Sequence, residues 1–121
     1  MEYLYLGEDA DGVSYFETRR FELAENDFAP PAPPMLAAAR LPATGIVHAV
    51  IEPGWRDGAH PTPRHQFFYT LSGRIRVTAG SGEARELGPG SILELADRTG
   101  RGHGSEVLGQ EPAHVVFVQL E

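Results

Sequence analysis

The chain has 121 residues, 41% of them hydrophobic and 22% charged, which suits one globular domain and leaves halves too small for two separate cores. It has no cysteine, so disulfides, thiolate nucleophiles and cysteine-held metals are excluded, and its ten basic residues are all arginine, which excludes lysine Schiff-base chemistry. A net charge of -7 with scattered arginines repels phosphate backbones and anionic lipid, so neither nucleic acid nor membrane is an expected partner.

The N-terminus has no basic region ahead of an apolar stretch, and nowhere do about 18 apolar residues run together, so a cytoplasmic location is expected. Strands are predicted over residues 3–6 and 15–23 from their apolar and β-branched content. Pro30-Pro31-Ala32-Pro33-Pro34 predicts an extended polyproline segment on the surface, and residues 34–40 are the only helical reading, with proline at the start. Further strands are predicted over residues 45–52, 66–71, 74–78, 84–87, 92–95, 104–108 and 114–120. Ser72-Gly73 between two of them predicts a hairpin, because glycine adopts positive φ freely. Ala79-Gly80-Ser81-Gly82 and Leu87-Gly88-Pro89-Gly90 predict the next two turns. Short strands and regular turn signals together predict an all-β sandwich or barrel, with an N-terminal arm over residues 1–34 in the same domain as a barrel over residues 35–121.

Pro53-Gly54, His60, Gln66 and the run Tyr69-Thr70-Leu71-Ser72-Gly73-Arg74-Ile75-Arg76-Val77 resemble the first motif of the RmlC-like cupin superfamily. Gly88-Pro89-Gly90 and Gly100-Arg101-Gly102-His103 resemble the turn and second motif that follow it. The resemblance implies a small single-domain cupin, a double-stranded β-helix or jelly roll, and a homodimer. It also implies a metal site, but a degenerate one. Counting back from Gly73, Gln66 stands at the family's metal-binding glutamate, Thr62 at one histidine and His60 at the other, while His103 matches the second motif's histidine. A divalent metal in this pocket would rely on His60, Gln66 and His103 and would find no anionic ligand. No tightly bound cofactor is therefore expected, although a divalent metal remains an open alternative. A shared site for His60 and Gln66 also requires the chain to bend near Pro61 and Pro63, since an extended strand would hold them about 20 Å apart.

The resemblance directs His60 and His103 to one pocket, where they are either catalytic or hydrogen-bonded wall residues. Gln66 reads as a substrate hydrogen-bonder, a ligand or a satisfied core amide. Strand alternation places Arg64 on the face of Gln66 and Phe68, as a clamp for a substrate anion or as a rim residue in a surface ion pair. Opposite parity sends His65 outward. His48 and His114 read as satisfied core or interface histidines, Trp55 and Tyr69 as packing, and Asp97 and Arg98 as a solvated turn.

The function expected from this set is a small-molecule pocket that binds or acts on a small anionic organic compound. The reaction would be isomerase, epimerase or lyase chemistry, with His60 or His103 as general acid or base and Arg64, Gln66 and Phe68 binding the substrate. A non-catalytic ligand-binding cupin and a metal-dependent dioxygenase or decarboxylase are the alternatives.

Overall fold

The computed structural model describes all of residues 1–121. Its regular structure is eleven strands: β1 (Glu2–Glu8), β2 (Ser14–Arg20), β3 (Ala24–Asn26), β4 (Met35–Ala37), β5 (Gly45–Ile51), β6 (Gln66–Ser72), β7 (Ile75–Ala79), β8 (Ala84–Leu87), β9 (Ile92–Leu95), β10 (His103–Val107) and β11 (Ala113–Gln119). No helix is long and apolar enough to cross a membrane.

The strands form a six-stranded sheet in the order β2-β1-β9-β6-β11-β5, a three-stranded sheet β10-β7-β8 and a separate β3-β4 ribbon. The two larger sheets share one core, because alternate residues of each strand point to the same side. In β7, Ile75, Val77 and Ala79 are buried while Arg76 and Thr78 are not. These residues pack with Leu6, Phe68, Leu93, Leu95 and Val115 of the larger sheet. The result is a jelly roll, which leaves room between its sheets for a cavity.

Three local expectations change. Residues 34–40 do not form a helix: Met35–Ala37 is strand β4, paired with β3. So short a segment cannot offset the cost of nucleating a helix, and a partner strand lies within reach. The proline segment is a turn rather than an extended rod: the Ala32 N–H donates to the Ala29 carbonyl across a cis Pro30-Pro31 bond. Ser72-Gly73 is not a hairpin either, because β6 and β7 lie in different sheets. It is a corner, and Gly73 (φ 82°) turns it so close to β11 that a Cβ would lie 2.6 Å from the Pro112 carbonyl oxygen.

The N-terminal strands sit within the chain's own large sheet. β1 runs parallel to β9 with Leu4 opposite Leu93 and Leu6 opposite Leu95, and β2 completes that edge. Leu6 is fully buried as a result.

Candidate functional site

Residues 55–60 run along β10 without forming a regular strand. The Val107 N–H donates to the Trp55 carbonyl, the Asp57 N–H to Ser105, and the His60 and His103 N–H groups to each other's carbonyls at 3.1 and 3.0 Å. This contact brings the two imidazole rings to 5.3 Å between centroids. Both rings line a cavity of about 370 Å³ between the sheets, whose wall includes ten apolar residues, Trp55, Phe68, Leu93 and Phe117 among them.

The polar groups of the cavity form one connected patch. His60 Nε2 lies 2.6 Å from Asp57 Oδ2, and its Nδ1 lies 2.9 Å from the Pro61 carbonyl oxygen. A carbonyl and a carboxylate can only accept, so both bonds are made together when the His60 ring is doubly protonated, and they favour that form. The Pro61 carbonyl, followed by Asp57, holds the His60 pKa above its ordinary value, against burial, which lowers it. His103 is set differently. Its Nδ1 lies 2.6 Å from Asp97 Oδ2, with the side chains only 7% and 0% exposed. Donation to that carboxylate fixes the proton on Nδ1 and leaves Nε2 as a lone pair without a protein partner. An imidazole backed by a buried carboxylate is the arrangement of a general base.

Gln66 is buried and lines the cavity as expected, but its amide is occupied at both ends. Its Nε2 donates to Thr62 Oγ1 at 3.2 Å and its Oε1 accepts from Gln119 Nε2 at 3.3 Å. Phe68 is a buried wall residue, edge-on to Phe117 with ring centroids 5.0 Å apart.

Arg64 is corrected: it is exposed, and its Nη1 donates to the Glu121 backbone carbonyl at 2.9 Å, outside the cavity. The strand begins only at Gln66 and the chain bends at Pro63 and Arg64, so strand parity cannot be carried back to position 64. The proposed anion clamp goes with it. His65 faces away from the cavity and pairs with Glu94 at 2.7 Å. His48 and His114 are exposed rather than core residues. Asp97 is no solvated turn; it is fully buried against His103. Asp57, Asp97, Ser105 and Gln119 thus belong to the site although the motif reading did not place them there. The only sequence signal was an aspartate three residues before His60 and another six before His103, a spacing with no meaning until the loops are folded.

These residues do not fit a metal ion. Both His60 ring nitrogens are hydrogen-bonded, Gln66 Oε1 is a neutral oxygen already accepting from Gln119, and His103 Nε2 is the one unpartnered atom among the three expected ligands. No group of three or more His, Asp or Glu side chains is arranged to hold one.

Glu8 holds the loop that carries Asp97. Its carboxylate accepts from the Thr99 hydroxyl at 2.8 Å, the Thr99 N–H at 3.0 Å and the Gly100 N–H at 2.7 Å. These bonds, the Thr99 hydroxyl foremost, lower the Glu8 pKa from its ordinary value. A depressed carboxyl pKa contributes stability that is full above the unfolded value of about 4.5 and is lost as pH falls through the folded value. Thermal melts are therefore expected to show a smaller loss of stability on acidification below about pH 4.5 in Glu8→Gln than in the wild type. Parallel curves would show that Glu8 does not clasp the loop.

Residues 47–119 match the family model described as a cupin domain. Among solved structures, a Cupin 2 conserved barrel domain protein from Salinispora arenicola CNS-205 superposes with a TM-score of 0.53 at 16% identity, covering 84% of this chain and 76% of that one. A conserved protein of unknown function from Streptococcus pyogenes gives a TM-score of 0.50 at 19% identity over 69% of this chain and 71% of that one. A dTDP sugar isomerase from Desulfovibrio desulfuricans G20 gives 0.49 at 19% identity over 83% and 74%. No curated protein matches the chain. At these identities the first two speak for the fold alone, and the third carries no argument. The family model spans more than half of the sequence and the chain folds as a jelly roll, so this protein belongs to the cupin family.

Proposed function

We propose that this cupin transfers a proton on a small organic molecule, removing it from a carbon next to a carbonyl and returning it to the same or a neighbouring carbon. The observation that carries this reading is the pair of carboxylate-backed imidazoles facing one another across 5.3 Å, His103 with an unpartnered Nε2 and His60 with both nitrogens hydrogen-bonded to acceptors. His103 Nε2 takes the proton, the C–H electron pair moves into the carbonyl system, and negative charge gathers on its oxygen. The His60 imidazolium offers compensating charge beside that oxygen in a cavity with mostly apolar walls. His103, now protonated, delivers the proton back. Isomerisation, epimerisation and elimination all share this first step.

The test is hydrogen exchange. A panel of small ketones and aldehydes incubated with the protein in deuterated water should take up deuterium beside the carbonyl faster than in buffer, as read by proton NMR. The rate should be unchanged by a chelator. No uptake by any member, with binding intact, would leave a non-catalytic ligand-binding cupin in its place.

We also propose a homodimer built on β5. This strand, Gly-Ile-Val-His-Ala-Val-Ile, is an edge of the six-stranded sheet and has no charged residue, whereas the opposite edge β2 carries Glu17, Arg19 and Arg20. Charge on an edge discourages pairing with other chains, and β5 lacks that protection. Ile46 and Val50 are 61% and 55% exposed. The chain exposes 7386 Å², where a compact monomer of 13.2 kDa exposes about 6,400 Å². The excess is comparable to the roughly 800 Å² per partner of a stable interface. Sedimentation at tens of micromolar should give a dimer, and Ile46→Glu with Val50→Glu should give a folded monomer. A monomeric wild type would sink the proposal.

A further inference from the structure

We infer that the ligand of this cavity is an uncharged, largely apolar molecule that presents one weakly acidic proton, and that carboxylates and phosphates are rejected. The inference deepens the proton-transfer reading and shares its assignment of the His103 lone pair, but it concerns which compounds bind.

The charges of the polar patch come first. Four ionisable groups stand at or directly behind it, Asp57, His60, Asp97 and His103. Two carboxylates and two imidazoles sum to zero when both rings are protonated and to a negative value otherwise. No protonation state with both aspartates ionised gives a surplus of positive charge. No arginine lines the cavity. Arg64 is engaged with the Glu121 carbonyl, Arg76 with Glu86 and Glu106, and Arg98 with the Glu121 carboxylate, while Arg56, between Trp55 and Asp57, is not among the lining residues. An anion entering here would lose its hydration, would find in the wall no cation but His60, which is already paired with Asp57, and would approach two carboxylates. Burying an unpaired charge is costly enough to exclude such a ligand in favour of a neutral one of the same shape.

The hydrogen-bonding complement of the patch points the same way. His103 Nε2 is an acceptor without a partner, because Asp97 holds the ring proton on Nδ1. Both N–H groups of His60 are already donated. His103 Nε2 is the unpartnered ring acceptor of the patch, so a ligand that pairs with it must bring the donor: a hydroxyl, or a C–H made acidic by a neighbouring carbonyl. The rest of the molecule meets the ten apolar residues of the wall, which reward a hydrocarbon body. Phosphorylated and nucleotide-linked compounds are outside this class.

The experiment uses the wild-type protein and four probes that share one hydrocarbon body: naphthol, methoxynaphthalene, naphthoate and naphthyl phosphate. Each is titrated calorimetrically at neutral pH, with NMR shifts of the His60 and His103 imidazole protons confirming the site. Naphthol should bind about tenfold more tightly than methoxynaphthalene, the worth of one hydrogen bond to an otherwise unpaired acceptor. Naphthoate should bind more weakly than naphthol, and naphthyl phosphate should show no binding at the site. Naphthoate or naphthyl phosphate matching or exceeding naphthol would overturn the inference, as would equal binding of naphthol and its methyl ether, or no binding by any probe. The outcome is separable from that of the exchange experiment. Selective naphthol binding without deuterium uptake by any carbonyl compound sustains the ligand class and removes the catalysis. Uptake together with preferred naphthoate binding does the reverse.

Discussion

Gly102→Ala is expected to lower the stability of this protein by about 3 kcal/mol or more, a fall in melting temperature of roughly 10 °C for a chain of this size. Gly102 has φ of 77°, a conformation that L side chains rarely adopt, and a Cβ there would overlap the His60 carbonyl. That carbonyl accepts the His103 N–H and cannot retreat without opening the bridge between the two histidines. The methyl group therefore removes the site and part of the fold together. Gly82→Ala separates the two contributions. Gly82 also has positive φ, 93°, but nothing lies within 4 Å of the position its Cβ would take. Its cost should be only the backbone strain, about 1 kcal/mol. Circular dichroism melts of both variants check the expectation, and equal losses would mean that the close approach at Gly102 is unimportant.

Asp97→Asn should reduce deuterium uptake by a factor of about 100 to 10,000 while leaving most of the stability in place. The carboxylate can only accept a hydrogen bond, so it forces the proton of His103 onto Nδ1 and keeps Nε2 basic. An amide of nearly the same shape can donate instead. With asparagine donating to Nδ1, the proton moves to Nε2, and the group facing the cavity becomes a donor that cannot remove a proton. Exchange rates read by NMR, set beside melting curves, distinguish this from simple damage. A variant that melts at a lower temperature but exchanges at the wild-type rate would show that Asp97 has only a packing role. Asp97 Oδ1 has no hydrogen-bond partner in its buried position, which is a cost to stability.

Strand alternation and turn residues were enough to locate nine of the eleven strands, because β1, β2 and β5 to β11 each bring apolar side chains to a shared core and are bounded by glycine, proline or polar turns. β3 and β4 escaped for the complementary reason. Each has three residues and both are almost wholly exposed, so no periodic burial marks them. The resemblance to a known motif likewise brought His60, Gln66, Phe68 and His103 to one cavity. What it could not supply is how these side chains are used. Whether a histidine is a ligand, an acid or a base depends on what its second nitrogen meets, and those partners come from loops whose positions local sequence does not encode. Asp57 reaches His60 only because residues 55–60 lie along β10, and Asp97 reaches His103 only because Glu8 and Gly100 hold its loop against the sheet. Arg64 shows the same limit in the opposite direction, since a bend of two residues sent a side chain expected in the cavity to the chain's end. The amino-acid sequence by itself determined the all-β class, the approximate places of nine strands and the two histidines, since these follow from burial periodicity and short motifs within a few residues. The pairing of sheets, the two histidine–carboxylate dyads and the absence of arginine from the cavity wall were decided by tertiary structure, because contacts between residues far apart in the chain create them.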